Sequence, residues 1–316
     1  MKTRLAPSPT GALHLGNART FLVNWLLARQ NGWSILLRIE DLDGPRIKSG
    51  TDLQAMDDLG RLGIDWDEGP IYQSVRMAEY AKAIERLIAE GAAYPCVCTR
   101  REVELAASAP HAEDGSAVYP GTCRGRFISV KDAREFSGKA PAIRFRVPEG
   151  IVRWMDQSRG TMECDVAREL GDFVIAKADG TPAYQLAVVV DDAAMGITQV
   201  VRGDDLIDST PRQILLYGAL GLSGKIPQYR HLPLVVGTDG RRLAKRHGDT
   251  RLSHYRELGV PAGRVLALLA RWCGMVKVAD TVTAREMIER FRLEDMPREA
   301  VVFADEDDAW LRGSSR

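Results

Sequence analysis

No run of 18 apolar residues occurs in this chain, which excludes a membrane-spanning helix. A leader is not expected either, because Met1-Lys2-Thr3-Arg4 runs directly into the first motif and leaves no space for a signal peptide. Cysteine is scarce: five residues, an odd number, argue against a disulfide framework and for a cytoplasmic protein. Net charge is absent as well. The 43 basic residues balance 43 acidic ones, so the chain as a whole argues neither for nor against nucleic acid. There is no internal repeat and no low-complexity tract. What remains is 45% hydrophobic and 27% charged, an ordinary globular composition. The 316 residues suffice for one large α/β domain with an insertion, or for two domains.

The stretch from Arg4 to Asn17 organises the rest. A short strand, Thr3 to Ala6, enters a loop punctuated by Pro7, Pro9 and Gly11 and delivers His14-Leu15-Gly16-Asn17. A helix starts at once, with Ala18, Phe21, Leu22, Trp25 and Leu26 at helical spacing. A strand, a glycine-containing loop and a helix start make an anion site from free N–H groups and the helix dipole. His14 and Asn17 can add side-chain donors, and Gly16 leaves room for a flat group. The plain alternative is a proline-rich turn beside a chance histidine.

Downstream, Ser34 to Ile39 is strand-like and ends in Glu40-Asp41-Leu42-Asp43. A carboxylate at such a strand end faces the ligand crevice of a doubly wound sheet, so Glu40 is a candidate partner for an ammonium group. A charged loop residue is the alternative. Thr51 to Leu62 reads as a helix with Leu53, Met56 and Leu59 on one face. A second helix, capped by Ser74, carries Met77, Tyr80, Ile84, Leu87 and Ile88 and stops at Gly91. From Tyr94 to Gly150 the pattern is irregular and reads as an insertion. Ala142 to Val147 and Ile151 to Met155 are its strands, and Asp172 to Lys177 with Tyr184 to Val190 reads as a hairpin. Gln199 to Arg202 is a short strand. Ser209 or Thr210 then caps a helix with Pro211 at its first position, ending at Gly221. After strand Leu232 to Val236, residues 241–251 hold five Arg or Lys and one Asp. A mobile lysine loop opposite a phosphate-binding helix start makes a triphosphate clamp, although a solvated loop is the commoner meaning. From Leu252 the pattern is helical, with Val265, Leu266, Leu268, Leu269 and Trp272 on a buried face.

Cys96, Cys98 and Cys123 cluster in a loop-rich segment with little core of its own, where a structural metal is a plausible staple. Three cysteines leave one ligand to find, and on ligand chemistry alone His111 is the choice. Three unliganded cysteines are the alternative. Cys164 and Cys273 read as small buried residues.

At these two motifs the chain resembles the class I aminoacyl-tRNA synthetases. Pro7 to Asn17 looks like their HIGH signature, and Arg242-Leu243-Ala244-Lys245-Arg246 looks like a degenerate KMSKS signature. Arg4-Leu5-Ala6-Pro7-Ser8-Pro9-Thr10-Gly11 and Arg38-Ile39-Glu40-Asp41-Leu42-Asp43 narrow the resemblance to the glutamyl branch, over residues 1–260. The resemblance implies a Rossmann-type doubly wound parallel sheet with a zinc-bearing insertion and a short helical C-terminal region. Residues 1–93 and 184–250 would be the two halves of the nucleotide domain, 94–183 an acceptor-binding-like insertion with the zinc site, and 251–316 a helical, stem-contact-like region. It implies activation of L-glutamate by ATP with Mg²⁺, then acyl transfer to a hydroxyl group. His14, Gly16, Asn17 and Lys245 would meet ATP, with His14 and Lys245 catalytic. Arg4, Leu5, Ala6, Pro7, Ser8, Glu40, Tyr184 and Arg202 would line the amino-acid site.

Within the branch the chain is most similar to the short glutamyl-Q tRNA(Asp) synthetases, which glutamylate queuosine in the anticodon of tRNA(Asp) without needing tRNA for activation. The chain stops short of an anticodon-binding region, and no protein partner is implied. That family carries Cys-x-Cys and then Tyr-x-x-x-Cys, which Tyr119 to Cys123 matches, so the resemblance makes Tyr119 the fourth zinc ligand in place of His111. Arg242 and Ala244 depart from the lysine signature, while Lys245 is kept. Charging of a tRNA 3′ end, another nucleotidyltransferase and a non-catalytic tRNA-binding relative are the remaining readings.

Overall fold

A computed structural model describes residues 1–106, 118–241, 243 and 248–313. The chain forms two compact units, one from Met1–Tyr72, Gln199–Leu206 and Arg230–Arg316, the other from Gln73–Thr198 and Ile207–Tyr229.

The first unit opens with β1 (Lys2–Leu5), α1 (Leu15–Asn31), β2 (Ser34–Ile39), α2 (Thr51–Arg61) and β3 (Glu68–Tyr72). β1 pairs in parallel with β2, Lys2 opposite Ser34 through Leu5 opposite Leu37, and β2 pairs in parallel with β3. A parallel pair needs a crossover, and α1 supplies it by burying Leu15, Ala18, Leu22, Val23, Trp25 and Leu26. Sequence reading missed β3, because Gly69-Pro70 reads as a turn. Gly69 instead sits inside the strand at φ +94°, where a Cβ would lie 2.3 Å from the Leu37 carbonyl oxygen. In α2 the inward face is Ala55, Asp58 and Leu59, and Leu53 is exposed, contrary to the expected stripe.

The second unit contains α3 (Met77–Ala89), β4 (Ala93–Cys96), α4 (Arg100–Ala106), α5 (Val130–Ser137), β5 (Ala142–Phe145), β6 (Val152–Asp156), β7 (Gly160–Cys164), α6 (Val166–Glu169), β8 (Val174–Ala176) and α7 (Tyr184–Met195). β4, β5 and β8 form an antiparallel sheet, and β6 and β7 an antiparallel pair. The segment Tyr184 to Val190, expected as a hairpin strand, is helical. Its run Leu186-Ala187-Val188-Val189 is wholly buried, and a continuous apolar run does not distinguish a strand from a buried helix. Ser74 does not cap α3, which begins after a 3₁₀ turn at Gln73–Arg76.

The chain returns to the first unit for β9 (Gln199–Gly203) and to the second for α8 (Ser209–Ala219). The position before α8 is Asp208, so Pro211 is its third residue and not its first. β10 (Gln228–Leu232) carries the chain back, and Pro233 separates it from β11 (Val235–Val236), so the expected single strand is two. Then follow α9 (Leu252–Glu257), α10 (Ala262–Trp272), α11 (Ala284–Arg290), β12 (Val301–Val302) and α12 (Asp305–Leu311). β11 pairs in parallel with β12, and β9 lies against β1 and α1. The first unit's core joins α1, β1 and β2 to Leu266, Leu269, Trp272, Met287 and Phe291 of the C-terminal helices. The second has its own core around Phe145, Phe173, Ile175, Leu186 and Leu216. Among the described residues no helix is long and apolar enough to cross a membrane.

Candidate functional site

His14 is the N-cap of α1 and is built into it. Its Nδ1 accepts from the backbone N–H groups of Gly16 at 3.1 Å and Asn17 at 3.3 Å, and Asn17 Oδ1 accepts from the His14 N–H at 3.4 Å. Leu15 N–H donates to the Thr250 carbonyl at 3.0 Å and Ala18 N–H to the His14 carbonyl at 3.0 Å. This corrects one expectation: the first-turn N–H groups are not free for an anion, because the chain itself takes them. The same bonds fix the histidine chemistry. With Nδ1 accepting, a neutral His14 carries its proton on Nε2, which makes that atom a donor for a phosphate oxygen. Gly16 makes room for the histidine ring: a Cβ there would lie 3.0 Å from His14 Cε1 and 3.1 Å from Nδ1.

The second motif is rooted beside the first. Gly237 N–H donates to the Arg241 carbonyl at 2.8 Å, closing the turn after β11. At the far end His14 and Arg251 form an antiparallel bridge, and Leu252 N–H donates to the Leu13 carbonyl at 2.9 Å. The ends of the basic loop are therefore held by β11 and by the His14 segment itself. Asp249 is bonded by Arg251, which holds its carboxyl down at about 2. Lys245, with Arg242, Ala244, Arg246 and His247, lies outside the described residues, as does His111.

The expected amino-acid residues of the first unit gather at the ends of β1, β2 and β9. Arg4 and Leu5 are buried in β1, and Asn24 Nδ2 donates to the Arg4 carbonyl at 2.9 Å. Ala6, buried Pro7 and exposed Ser8 follow, and the Pro7 carbonyl accepts from Glu40 N–H at 3.0 Å, tying this loop to the end of β2. Glu40 is mostly shielded, and its carboxylate accepts from Arg38 Nη2 at 3.1 Å, with Arg38 fully buried. Arg202 is buried in β9 and donates from Nε to His231 Nε2 at 3.0 Å. Arginine stays protonated, so His231 accepts and its own proton lies on Nδ1. Tyr184 is the first residue of α7, in the second unit. Sequence reading missed His231 and Asn24, and it quoted Arg38 within a motif without giving it a role. A charged residue inside the apolar run Ser34–Ile39 was the available signal for Arg38, since a buried arginine requires an anionic partner.

In the second unit Cys96 ends β4, and Cys98, Tyr119 and Cys123 lie in the loops around α4 and before α5. The three sulfur atoms lie within 4.8 Å of one another. The Tyr119 hydroxyl oxygen is 3.4 Å from Cys96 Sγ and 3.6 Å from Cys98 Sγ, and it accepts from Cys123 N–H at 2.8 Å. No cysteine is in a disulfide. Burial pushes the Cys98 thiol up, and a bound cation would favour the thiolate. Three sulfur atoms and one phenol oxygen converge, a sulfur-rich four-donor set that suits a structural zinc ion. Arg144 supports the cluster by donating to Cys96 Sγ at 3.3 Å and stacking 3.8 Å over the Tyr119 ring.

Residues 1–310 match the sequence profile of the class I tRNA synthetases (E and Q), catalytic domain. The chain is 47% identical to a glutamyl-Q tRNA(Asp) synthetase of Symbiobacterium thermophilum, covering 99% of this chain and 98% of that one. It is 40% identical to a glutamate–tRNA ligase of Citrifermentans bemidjiense, covering 98% of this chain but 65% of that one. The crystal structure of a glutamate tRNA ligase from Elizabethkingia meningosepticum in complex with its amino acid superposes with a TM-score of 0.81 at 29% identity, over 98% of this chain and 68% of that one. The chain therefore belongs to the class I tRNA synthetases of the glutamate and glutamine type, and it is a ligase with a glutamyl-tRNA synthetase-like function.

Proposed function

We propose that this ligase activates L-glutamate with ATP in the absence of tRNA, then transfers the glutamyl group to the queuosine base of tRNA(Asp). The observation that carries this reading is the backbone bridge between His14 and Arg251, which roots the lysine loop at the helix start expected to meet the phosphates. In the first step a glutamate carboxylate oxygen attacks the α-phosphorus of ATP, which enters with Mg²⁺. The bond to the β-phosphate oxygen breaks, and pyrophosphate leaves. In the second step a queuosine hydroxyl attacks the acyl carbon, AMP leaves and the hydroxyl proton passes to solvent.

The chain supplies alignment and charge, which is what such a reaction needs. His14 Nε2–H and Lys245 meet the triphosphate, and Gly16 and Asn17 hold the histidine in place. Arg4 and Arg202 offer guanidinium forks to carboxylate, and Glu40 receives the ammonium group. Leu5, Ala6, Pro7, Ser8 and Tyr184 complete the amino-acid site. Cys96, Cys98, Tyr119 and Cys123 hold one structural Zn²⁺, which supplies a folding constraint and no chemistry. Residues 1–93 and 184–250 act as the nucleotide domain, 94–183 as the insertion and 251–316 as a stem-contact-like region.

The relatives named glutamate–tRNA ligase support a second reading, charging of a tRNA 3′ end. Glutamate-dependent ATP–pyrophosphate exchange run without tRNA tests the proposal. Exchange should proceed and should be abolished in Lys245→Ala. Exchange that appears only when tRNA is added would sink it.

A further inference from the structure

Around α5 the second unit presents an unusual surface. Phe136 is 61% exposed and Ile128 is 96% exposed, beside a partly buried Phe127. The two phenylalanine rings lie 5.5 Å apart, tilted by 51°, and the Arg126 guanidinium sits 4.4 Å from the Phe136 ring and 5.4 Å from the Phe127 ring. Phe127 packs from beneath on the core of Tyr94, Cys96, Tyr119 and Cys123, so the ring pair is anchored.

Charge surrounds the rings. Residues 124–139 contain Arg124, Arg126, Lys131, Arg134 and Lys139 against Asp132 and Glu135. Both carboxylates are committed locally: Asp132 accepts from Ile128 N–H at 3.1 Å, and Glu135 pairs with Lys131 at 3.7 Å. Arg124 is committed to Asp172. Among the described residues neither Arg126 nor Arg134 has a carboxylate partner.

We propose that this face is a stacking platform for unpaired nucleotides of an RNA, an inference that rests on reading the chain as a ligase acting on tRNA. Exposed rings without a cover cost hydration free energy, and a protein partner would favour a patch whose centre is depleted of charge. Here the Arg126 guanidinium lies against both rings, and Arg134 lies on the same helix as Phe136. That pattern matches the π-faces of unstacked bases between phosphates. Duplex bases keep their faces covered, so the ligand is a loop or a single-stranded segment.

The test uses the full chain and fluorescently labelled tRNA(Asp) titrated at several salt concentrations. Phe136→Ala should weaken binding about 5- to 100-fold without altering the salt slope. Arg134→Gln should reduce the slope of log K against log salt by about 1. Glutamate-dependent exchange without tRNA should stay at the wild-type level in both variants. Wild-type affinity in Phe136→Ala and in Arg126→Gln would overturn the platform, as would a shift in oligomeric state with unchanged tRNA affinity, which would assign the face to a second copy. If wild-type protein lacks exchange while Phe136→Ala still loses tRNA, the functional reading fails and the platform stands.

Discussion

At the scale of single residues, Gly16 separates stability from activity. A methyl group there would press on the His14 ring, whose Nδ1 caps α1. Losing a cap costs ~1 kcal/mol, while Gly→Ala inside a helix gains up to ~1 kcal/mol. The two offset, so Gly16→Ala should melt within a few degrees of wild type while exchange falls ~10-fold or more as His14 Nε2 moves. Gly11→Ala is the control, since nothing lies within 4 Å of its added Cβ. Equal exchange rates in the two variants would remove His14 from the phosphate site. Asp58 is a second case. It is buried against Leu62, Leu252, Val260 and Val265, and no hydrogen-bond partner reaches its Oδ2 among the described residues. Burial, aided by Asp57, raises its pKa from 3.8 to about 6, while Arg256 and Arg61 oppose the shift. A raised carboxyl pKa means the folded chain holds the extra proton. Its stabilising contribution is present below the ordinary value and is lost as pH rises to about 6. Asp58→Asn should therefore melt higher than wild type at pH 7, and the gap should close as pH falls toward 4. A gap that is constant with pH would refute the shift.

At the scale of elements, the Cys cluster has the smallest of the three buried cores among the described residues, and the proposed metal would brace it. Five buried residues, Tyr94, Cys96, Val103, Tyr119 and Cys123, make a core too small to order the flanking loops alone. Freshly purified protein should carry about one Zn²⁺ per chain, and Cys98→Ser should lose it. Amide exchange should then speed up in 94–106 and 118–123 while the strands β1 and β2 stay protected. Metal analysis that finds no zinc in the wild type would refute the site. Legibility in the sequence followed the same local logic. β2 and α10 were read correctly because an apolar run between polar borders and a 3.6-residue stripe are each unambiguous. α7 was misread because Val188, Val189 and Val190 favour strands and full burial erases periodicity. β3 was lost behind Gly69-Pro70. At the candidate site the motif residues stood out by type and spacing, while the roles of Arg38 and His231 did not. Arg38 meets Glu40 two residues further along the same chain segment, but His231 meets Arg202 across strands, and such contact leaves no mark in linear spacing.

At the scale of the whole molecule the open choice is the acceptor. The chain's 43 cations and 43 anions cancel, so no global field draws RNA in, and recognition must come from local surfaces. Arg251 bridges His14 at the expected adenylate motif, and the segment around α5 carries the exposed Phe136 ring with the Arg126 guanidinium against it. Chemistry alone permits either acceptor. The queuosine ring bears a vicinal diol, as does the ribose of a 3′-terminal adenosine, and one adenylate could acylate both. An anticodon loop and a 3′ end both offer unpaired bases, so stacking does not choose between them. The expectation follows the relatives: this chain covers 98% of a glutamyl-Q tRNA(Asp) synthetase at 47% identity, and 65% of a glutamate–tRNA ligase at 40%. The expected result with labelled glutamate is therefore transfer to tRNA(Asp) containing queuosine, and background labelling of tRNA(Asp) with unmodified guanine and of tRNA(Glu). Labelled glutamate should be released by mild base, as expected of an ester. Equal labelling of the two tRNA(Asp) forms would remove queuosine from the reaction, and preferential labelling of tRNA(Glu) would move the acceptor to the 3′ end.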